Sequence, residues 1–391
     1  EVTGLARRLA RSQRIETVLG PASALYGSDA MGGAIQVFTP LPNPSGGWHG
    51  EGNLFGATAD GSVGADGALS HAGERLSWLA GLSGRRHGDV RAGQGTDSRH
   101  VLRRLFDAPD SVIRQVTGSR QQDTGFTQYG FNGKLLTRLA ERHWLSAWFQ
   151  RARQDNVRNY KDLWGGLGRL QSDLAPQGLD FAYLRWEALG LAGFDSVQAT
   201  TSINSQRDGT RRRALRFTDR LTVDTNRVDS VGYAGQAVRG PVAFGGDFYD
   251  ERIYAARVDG GVAARPLYPD DSRYRTGALF AQGQKAFAGN RLRASAGGRW
   301  TRVGYSTKSD ARFGVTTTRQ TFSDATFNTS LLWQATSAFG LHALVGRGFR
   351  APNANDLGAV GLNDLGFEIP ASEAPAGALL GNSAGEGATS L

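Results

Sequence analysis

The stretch Arg291-Leu292-Arg293-Ala294-Ser295-Ala296-Gly297-Gly298-Arg299-Trp300-Thr301 alternates between apolar or small residues and polar ones. Successive side chains of a β-strand point to opposite faces, so this period of two predicts a strand with one apolar and one polar face. The same alternation recurs at 197–204 and at 325–333, whereas a helical period is rare beyond about residue 45. Most of the chain is therefore predicted to be all-β.

Thirteen strands are predicted, and the connections between them fall into two alternating classes. The strands lie near 47–57, 65–73, 75–87, 124–139, 141–154, 179–191, 193–207, 226–238, 241–256, 272–286, 290–305, 322–336 and 339–349. Tight turns are predicted around 73–74, 140–141, 192–193, 239–240, 289–290 and 337–338, and long polar connections at 58–64, 88–123, 155–178, 208–225, 257–271, 306–321 and 350–391. Short turns at one end and long loops at the other are typical of an outer-membrane barrel, and a soluble β-sandwich has no reason to separate them.

Aromatic residues near the strand ends predict two girdles at the membrane interfaces. Beside the tight turns stand Trp48, Trp78, Trp144, Phe194, Phe287, Trp333 and Phe339. At the opposite ends stand Phe126, Phe181, Tyr183, Tyr274, Trp300, Tyr305 and Phe322. Aromatic rings concentrate at both interfaces of a bilayer. The alternative is that these residues are the core aromatics of a sandwich.

The composition excludes several kinds of chemistry. The chain has no cysteine, so disulfides, zinc–cysteine sites and thiol nucleophiles are excluded, and no apolar run reaches the length of a membrane helix. The net charge is +9, and 41 of the 45 cationic residues are arginine. These arginines are scattered, and the longest run, Arg211-Arg212-Arg213, is interpreted as a solvated loop rather than as a nucleic-acid site.

The number of strands predicts that the barrel is incomplete. Bacterial single-chain barrels have an even number of strands, and open edges are not tolerated in lipid. The polar face, rich in arginine and serine, must meet water or another polar body because unpaired buried charges are costly. Further strands are therefore expected beyond Leu391. The first 14 residues lack the apolar segment of a signal peptide, so the true start is expected upstream unless the chain is cytoplasmic.

Residues 1–44 have a different, α+β pattern. A short strand at 14–19 precedes the Gly20-Pro21 turn, and 22–26 form one predicted helical turn. A glycine loop at 27–33 leads into a second strand, and a proline-rich linker follows at 40–44. No Gly-Lys-Ser/Thr follows the glycines, so the loop is not a phosphate-binding loop.

Two motifs carry a resemblance to a known family. The series Arg14-Ile15-Glu16-x-Val18-x-Gly20-Pro21-x-Ser23-x-Leu25-Tyr26-Gly27-x-x-Ala30-x-Gly32-Gly33-Ala34-Ile35-x-Val37-x-Thr39 resembles the end of the plug domain of TonB-dependent outer-membrane receptors. The series Gly348-Phe349-Arg350-Ala351-Pro352-Asn353-x-Asn355-Asp356-Leu357 resembles the Phe-Arg-Ala-Pro box that follows about the thirteenth strand of the same family's barrel. The resemblance covers essentially the whole chain.

The resemblance implies a partial transmembrane antiparallel barrel, with about 13 of an expected 22 strands, preceded by the C-terminal part of an α+β plug domain. Residues 1–44 would be the plug part and its linker, and 45–391 the first part of the barrel, with 350–391 an extracellular loop. A signal peptide, the TonB box and the rest of the plug are expected upstream, and about nine strands downstream. Arg14 and Glu16 match plug positions that face the barrel wall.

The resemblance further implies a receptor in the outer membrane of a Gram-negative bacterium, embedded in lipid. It would take up a scarce, large nutrient with energy transmitted by TonB, without catalytic residues, cofactor or nucleic acid. A metal chelate, first of all an iron–siderophore complex, is the expected ligand. Cobalamin, haem and glycan receptors of the same family remain alternatives.

Candidate ligand-binding residues come from the predicted loop 155–178. Arg158, Tyr160 and Trp164 combine an arginine with aromatic rings, which suits an anionic, partly aromatic ligand such as a catecholate siderophore. The alternative is that extracellular loops are polar with occasional aromatics. The six histidines have no metal-ligand spacing, although His87 and His100 share a predicted loop. Haem receptors of the family that the chain resembles carry a histidine in the loop after the Phe-Arg-Ala-Pro box. Residues 350–391 contain none, which argues against haem.

Three rival interpretations remain to be weighed. Gly381-Asn382-Ser383-Ala384-Gly385 matches the nucleophile elbow of hydrolases, but no histidine follows it, so we interpret it as a chance match. A passive porin would also have short turns at one end and long loops at the other, but it leaves residues 1–44 without a role. A secreted β-sandwich enzyme or adhesin would make the glycine loop incidental.

Overall fold

The computed structural model describes residues 14–19, 24, 27, 30–43, 45–91, 103–104, 107, 109–111, 113, 120, 124–158, 169, 171–214, 218–358, 361–363, 366–368, 379–380 and 389–390. The strands are β1 (Arg14–Leu19), β2 (Gly33–Phe38), β3 (Gly47–Ala57), β4 (Ser62–Ala72), β5 (Leu76–His87), β6 (Phe126–Ala140), β7 (His143–Asp155), β8 (Val157–Arg158), β9 (Gln171–Leu189), β10 (Ser196–Arg213), β11 (Leu221–Arg239), β12 (Val242–Asp259), β13 (Val262–Ala264), β14 (Ser272–Phe287), β15 (Leu292–Ser306), β16 (Arg319–Gln334), β17 (Gly340–Arg347), β18 (Gly361–Asn363), β19 (Gly366–Glu368), β20 (Leu379–Leu380) and β21 (Thr389–Ser390). A 3₁₀ turn spans Ala311–Phe313 and a short helix, α1, spans Ala354–Gly358. Within these residues, no helix has the length and apolar character needed to cross a membrane.

One antiparallel sheet contains most of the chain. Its order is β17-β16-β15-β14-β12-β11-β10-β9-β7-β6-β5-β4-β3, with β8 added to β9 and β13 added to β12. Thirteen strands thus follow one another as a meander, which confirms the all-β prediction and the number of long strands. The sheet is not closed: β3 and β17 are its two edges.

The two classes of connection lie at opposite ends of this sheet, as predicted. The connections at one end are all short, at 73–75, 141–142, 190–195, 240–241, 288–291 and 335–339. The other end has the longer connections, but the link between β3 and β4, predicted as long, is only 58–61, and a two-residue turn at 260–261 joins β12 to β13. At the other end the connections differ from the prediction, because several strands continue into the predicted loops. Residues 62–64 belong to β4, 171–178 to β9, and 208–213 and 221–225 to β10 and β11.

Strand length explains this difference. About 9–11 residues of a tilted strand cross a bilayer, whereas β9 and β11 have 19 residues each. The additional residues extend beyond the outward apolar side chains at the long-loop end, and those at 208–213 are polar or glycine on both faces. Without an apolar face, 208–213 lack the alternation that predicts a strand, although they pair with both β9 and β11, with one register shift between Asp208 and Thr210 on the β9 side.

The two faces of the sheet have different chemistry. On the outer face, large apolar side chains are exposed, among them Leu54 at 91%, Leu82 at 66% and Leu279 at 64%. The inner face carries polar residues, and β1 and β2 lie against it. The register places Trp300 outward and Arg299 inward on β15, as its alternation predicts.

The aromatic prediction is right at the tight-turn end except for Trp144, which the register places on the inner face, and it is mostly wrong at the other end. Beside the tight turns, Trp48 packs on Trp78 with ring centroids 5.6 Å apart, and Trp333 and Phe339 are about half exposed. At the long-loop end, Trp300 faces outward, but the register and strand parity place Phe126, Phe181, Tyr183, Tyr274, Tyr305 and Phe322 on the inner face. Tyr305 is 1% exposed. The outward aromatics there include Tyr129, Phe131, Tyr233, Phe248 and Phe327.

Candidate functional site between the N-terminal hairpin and the sheet

The N-terminal hairpin, formed by β1 and β2, is a separate two-stranded sheet. Arg14 lies opposite Phe38 and Leu19 opposite Gly33 in its antiparallel register. Gly27, between the two strands, has φ +88°, and Gly33 has φ +150°. Both values favour glycine over residues with a Cβ, which gives a physical reason for these two glycines of the first motif.

The hairpin is bound to the inner face through Lys134 on β6. Its Nζ donates a hydrogen bond to the Thr39 Oγ1, at 2.7 Å, and lies 5.6 Å from the centroid of the Trp148 ring. Lys134 is 7% exposed and Trp148 is 4% exposed. A buried ammonium is stable only with such partners, so this contact fixes where the chain leaves β2.

Arg299 on β15 forms a second contact, with the glycine loop. Its Nη2 donates to the Asp247 Oδ1 at 2.8 Å, and its side chain is 6% exposed. A Cβ built on Gly27 would lie 3.5 Å from the same Nη2. The guanidinium is therefore enclosed between the wall and the loop, with one carboxylate as its ion-pair partner.

The second motif meets the first one in space. A Cβ built on Gly348 would lie 3.3 Å from the Cγ of Met31, so the end of β17 packs against the glycine loop. Ala351 is 1% exposed, and the Tyr274 hydroxyl donates to the Pro352 carbonyl at 3.0 Å. Two motifs more than 300 residues apart in the chain thus adjoin the same loop.

Hydrogen bonds within the second motif explain its polar residues. The Asn353 N–H donates to the Asp356 carboxylate at 2.9 Å, and the Asp356 N–H donates to the Asn353 side-chain oxygen at 3.0 Å. Arg350 also donates to Asp356, at 2.9 Å. This reciprocal pair caps α1 in the manner of a capping box.

A cavity of about 500 Å³ separates β2 from part of the sheet. Ile35, Val37 and Thr39 line it on the hairpin side. On the sheet side its lining is mostly polar and aromatic, including Asp66, Ser83, Arg85, Gln128, Asn132, Gln150, Ser202, Asn204, Tyr249 and Glu251. The hairpin is thus held at a few points and is not packed against the wall along its length.

A buried ion-pair cluster lies further toward the long loops, on the inner face of β10, β11 and β12. Asp224 is 7% exposed. It accepts from Arg212 Nη2 at 2.7 Å and from Arg257 Nε at 2.5 Å. Thr210 donates to the same carboxylate at 3.1 Å. These ion pairs link β10, β11 and β12 in the part of the strands that extends beyond the exposed apolar side chains of the outer face.

Among the remaining predicted residues of the first motif, the structure describes Arg14, Glu16 and Gly32. Arg14 and Glu16 are exposed and pair with each other, with the Arg14 Nε 2.9 Å from the Glu16 Oε1, because residues two apart on a strand share a face. Among the described residues neither side chain forms an ion pair with the sheet, and their position facing the barrel wall stays a prediction. Gly32 is among the described residues, and a Cβ built on it would have no atom within 4 Å. Gly20, Pro21, Ser23 and Tyr26 lie outside the described residues.

The predicted ligand-binding residues are only partly covered. Arg158 is on β8, and its Nε lies 3.2 Å from the Asp173 Oδ1, with both side chains 18% exposed. Tyr160 and Trp164 lie outside the described residues, so the assignment of Arg158, Tyr160 and Trp164 to a ligand mouth stays a prediction. The sequence at 381–385 that matches a nucleophile elbow also lies outside the described residues. Sequence analysis did not connect Lys134 or Asp247 with the N-terminal segment, and it assigned Tyr274 to an aromatic girdle, because the contacts of an inner-face position depend on where the hairpin lies.

Replacing Lys134 with methionine is expected to loosen β2 without unfolding the sheet. Methionine keeps the length of the side chain but cannot donate to Thr39. A charged hydrogen bond contributes roughly 1.5–3 kcal/mol, so amide exchange at 34–38 should accelerate about ten- to hundredfold. Hydrogen exchange with mass spectrometry measures this. Lys285→Met, on the outer face of β14, is the control, and equal exchange in the two variants would contradict the contact.

Comparison with known proteins supports the fold and assigns the family. A family model described as "TonB dependent receptor-like, beta-barrel" matches residues 108–384. Among curated protein sequences, no match to the chain is found. Ninety-six chains of solved structures match.

Three of the matching structures illustrate the degree of similarity. The copper transporter OprC has a TM-score of 0.64 at 12% identity, with 88% of this chain and 51% of OprC covered. The FrpB iron transporter from Neisseria meningitidis has a TM-score of 0.61 at 12% identity, covering 91% and 56%. The ferric citrate transporter FecA has a TM-score of 0.62 at 13% identity, covering 88% and 50%. At this identity the likeness shows the fold alone.

The chain therefore spans about half the length of the structures that it matches. The family model covers well over half of the chain and includes β6 to β17 of the sheet described above. On this evidence the chain belongs to the TonB-dependent receptor-like β-barrel family.

Proposed function

We propose that this protein is an outer-membrane receptor that takes up a large, scarce nutrient with energy transmitted by TonB. The observation that carries the proposal is the N-terminal hairpin on the inner face, held there by Lys134 and by Arg299. A passive porin needs an open lumen, whereas a receptor needs a removable obstruction. In this proposal 1–44 are plug and linker, 45–391 are barrel, and 350–391 are an extracellular loop.

The arrangement of the hairpin suits removal by a pulling force. Its described contacts with the wall are localised, at Thr39, at Gly27 and at Met31, and a cavity of about 500 Å³ adjoins β2. Few interactions must break together for the hairpin to move. Because the outer membrane has no ion gradient of its own, the energy would come from the inner membrane through TonB. No covalent bond is made or broken, so the proposal includes no enzymatic step.

An iron–siderophore complex is the ligand that we propose. FrpB is described as an iron transporter and FecA as a ferric citrate transporter, and both share this fold. Arg158, Tyr160 and Trp164 would contribute cationic and aromatic contacts to an anionic chelate. OprC, a copper transporter, shows that the fold also serves other metals. Cobalamin, haem and glycans are the alternatives that a ligand panel would distinguish.

The obstruction can be tested by conductance. Full-length protein, purified from outer membranes of a Gram-negative host and inserted into a planar bilayer, is expected to show no steady ion current. A variant from which the whole plug is deleted, from the upstream segment through residue 44, should conduct, because the lumen is polar and wide, and it serves as the positive control. A steady current through the unmodified protein, equal to that of the deletion variant, would contradict the proposal and favour a porin.

A further inference from the structure

Three oxygen-bearing side chains stand side by side in the cavity that adjoins β2. Asn204 on β10, Ser230 on β11 and Glu251 on β12 are successive register partners, and all three line the cavity on the inner face. Side chains directly opposite each other on neighbouring antiparallel strands have their Cβ atoms about 5 Å apart. An amide, a hydroxyl and a carboxylate therefore form one compact group, the oxygen cluster.

The oxygen cluster has acceptors without donors. The Asn204 Oδ1 is buried and accepts no hydrogen bond within the described part of the chain. Glu251 is half-buried, no described side chain donates to its carboxylate, and the one charge that acts on it is the repulsive charge of Asp250. Asn132, 7% exposed, presents a further unpaired amide oxygen to the same cavity. Partly desolvated acceptors of this kind are costly unless a donor or a cation meets them.

The arginines that line the cavity are engaged elsewhere. They are Arg85, Arg151 and Arg153. Arg151 and Arg153 both pair with Asp180. The Arg85 guanidinium lies 4.8 Å from the centroid of the Phe55 ring on β3. The positive charge that the oxygen cluster needs is therefore not supplied by these arginines.

Two aromatic rings flank the oxygen cluster. Phe181 on β9 is the other register partner of Asn204, and Tyr249 stands two residues before Glu251 on the same face of β12. Both side chains line the cavity. The face of an aromatic ring attracts an ammonium group, and it also packs against hydrocarbon. Carboxylate, amide oxygen and ring faces thus surround one end of the cavity.

We propose that this end of the cavity binds a small organic amine, whose ammonium group donates to Glu251 and Asn204 and whose alkyl chain packs against Phe181 and Tyr249. An ammonium group has donors and no acceptor, which complements unpaired oxygens. Calcium takes six to eight oxygen ligands, which exceeds what one carboxylate and two neutral side chains offer. An anion would be repelled by Glu251.

The amine site is separate from the predicted ligand mouth. Phe181 is eight residues along β9 from Asp173, the ion-pair partner of Arg158. At the rise of a β-strand this separation is about 26 Å. The amine is therefore a second ligand, and its binding does not depend on which nutrient is transported.

Saturation-transfer NMR of the full-length protein in a non-ionic detergent, titrated with 1,4-diaminobutane, tests this inference. Glu251→Gln keeps the shape of the side chain and is expected to weaken binding at least tenfold, because it removes a charged hydrogen bond. Asp66→Asn is the matched control. Asp66 lines the same cavity, but its carboxylate already accepts from Asn53 at 3.1 Å, so affinity should be unchanged. Circular dichroism confirms that both variants are folded.

Two further arms identify the chemistry that is recognised. The neutral analogue 1,4-butanediol should bind at least tenfold more weakly than the diamine, and millimolar calcium at matched ionic strength should not displace the diamine. Absence of diamine binding, as when an upstream plug side chain fills the oxygen cluster, would overturn the proposal. So would equal affinities of the two variants, equal binding of the diol, or displacement by calcium. The titration needs neither nutrient nor TonB, so its failure is distinguishable from failure of the proposed transport function.

Discussion

Replacing Arg299 with alanine is expected to lower the free energy of unfolding by about 3–5 kcal/mol. Arg299 and Asp247 are 6% and 13% exposed in side chain and form a direct ion pair. Removal of the guanidinium leaves Asp247 as a buried carboxylate without this partner, and it opens a space beside Gly27. The effect should also reach the hairpin, because the guanidinium lies between the wall and the glycine loop.

Denaturant titration in detergent, followed by tryptophan fluorescence, measures this loss, since the chain has eight tryptophans. Arg302→Ala is the control. Arg302 is exposed on the outer face of the same strand, and its replacement should change stability by less than about 0.5 kcal/mol. Arg299→Leu/Asp247→Leu removes both charges and should recover much of the loss. If Arg299→Ala were as stable as the control, the Arg299–Asp247 ion pair would not contribute to the free energy of unfolding.

Asp224→Asn is expected to have the second-largest effect, a loss of about 3 kcal/mol. The Asp224 carboxylate accepts from both Arg212 and Arg257, whose side chains are 23% and 14% exposed. Asparagine has nearly the same shape but no charge, so two partly buried guanidinium groups would lose their shared carboxylate. The strands β10, β11 and β12 should therefore separate more easily at the long-loop end.

The same denaturant titration, with hydrogen exchange at 208–213 and 221–225, measures the effect of Asp224→Asn. Asp229→Asn is a suitable control, because Asp229 and its partner Arg227 are 40% and 43% exposed. An exposed pair contributes less than about 1 kcal/mol, so the control should be nearly neutral. Losses of similar size in the two variants would show that burial does not set the strength of the Asp224 cluster.

Alternation and turn position were sufficient to predict the sheet. The apolar positions of 291–301 face outward and its polar positions inward, because strand parity is a local property of the sequence. The tight turns were found because they interrupt the alternation between amphipathic segments. The strand extension at 208–213 was missed because both of its faces are polar, and the extension at 171–178 was missed because its apolar residues are consecutive and include Pro176.

The candidate site could be predicted only in part. The glycines of the first motif were identified, and the positive φ values of Gly27 and Gly33 explain them. The partners of Arg299 and Lys134 were not predicted, because each depends on register between strands or on the position of the hairpin. The inward position of Tyr305 could have been derived from parity with Arg299, but its place near the strand end suggested an interface girdle instead.

Uptake of a radiolabelled ferric siderophore by cells that express the full-length protein tests the central claim most directly. It is measured with and without TonB, and with and without the inner-membrane proton gradient. A panel of catecholate, citrate and hydroxamate chelates, with haem and cobalamin, covers the ligands considered. The account predicts saturable uptake of one panel member that falls to background without TonB or the gradient, while surface binding persists. Uptake that continues unchanged without TonB and does not saturate would contradict the account and identify a passive channel.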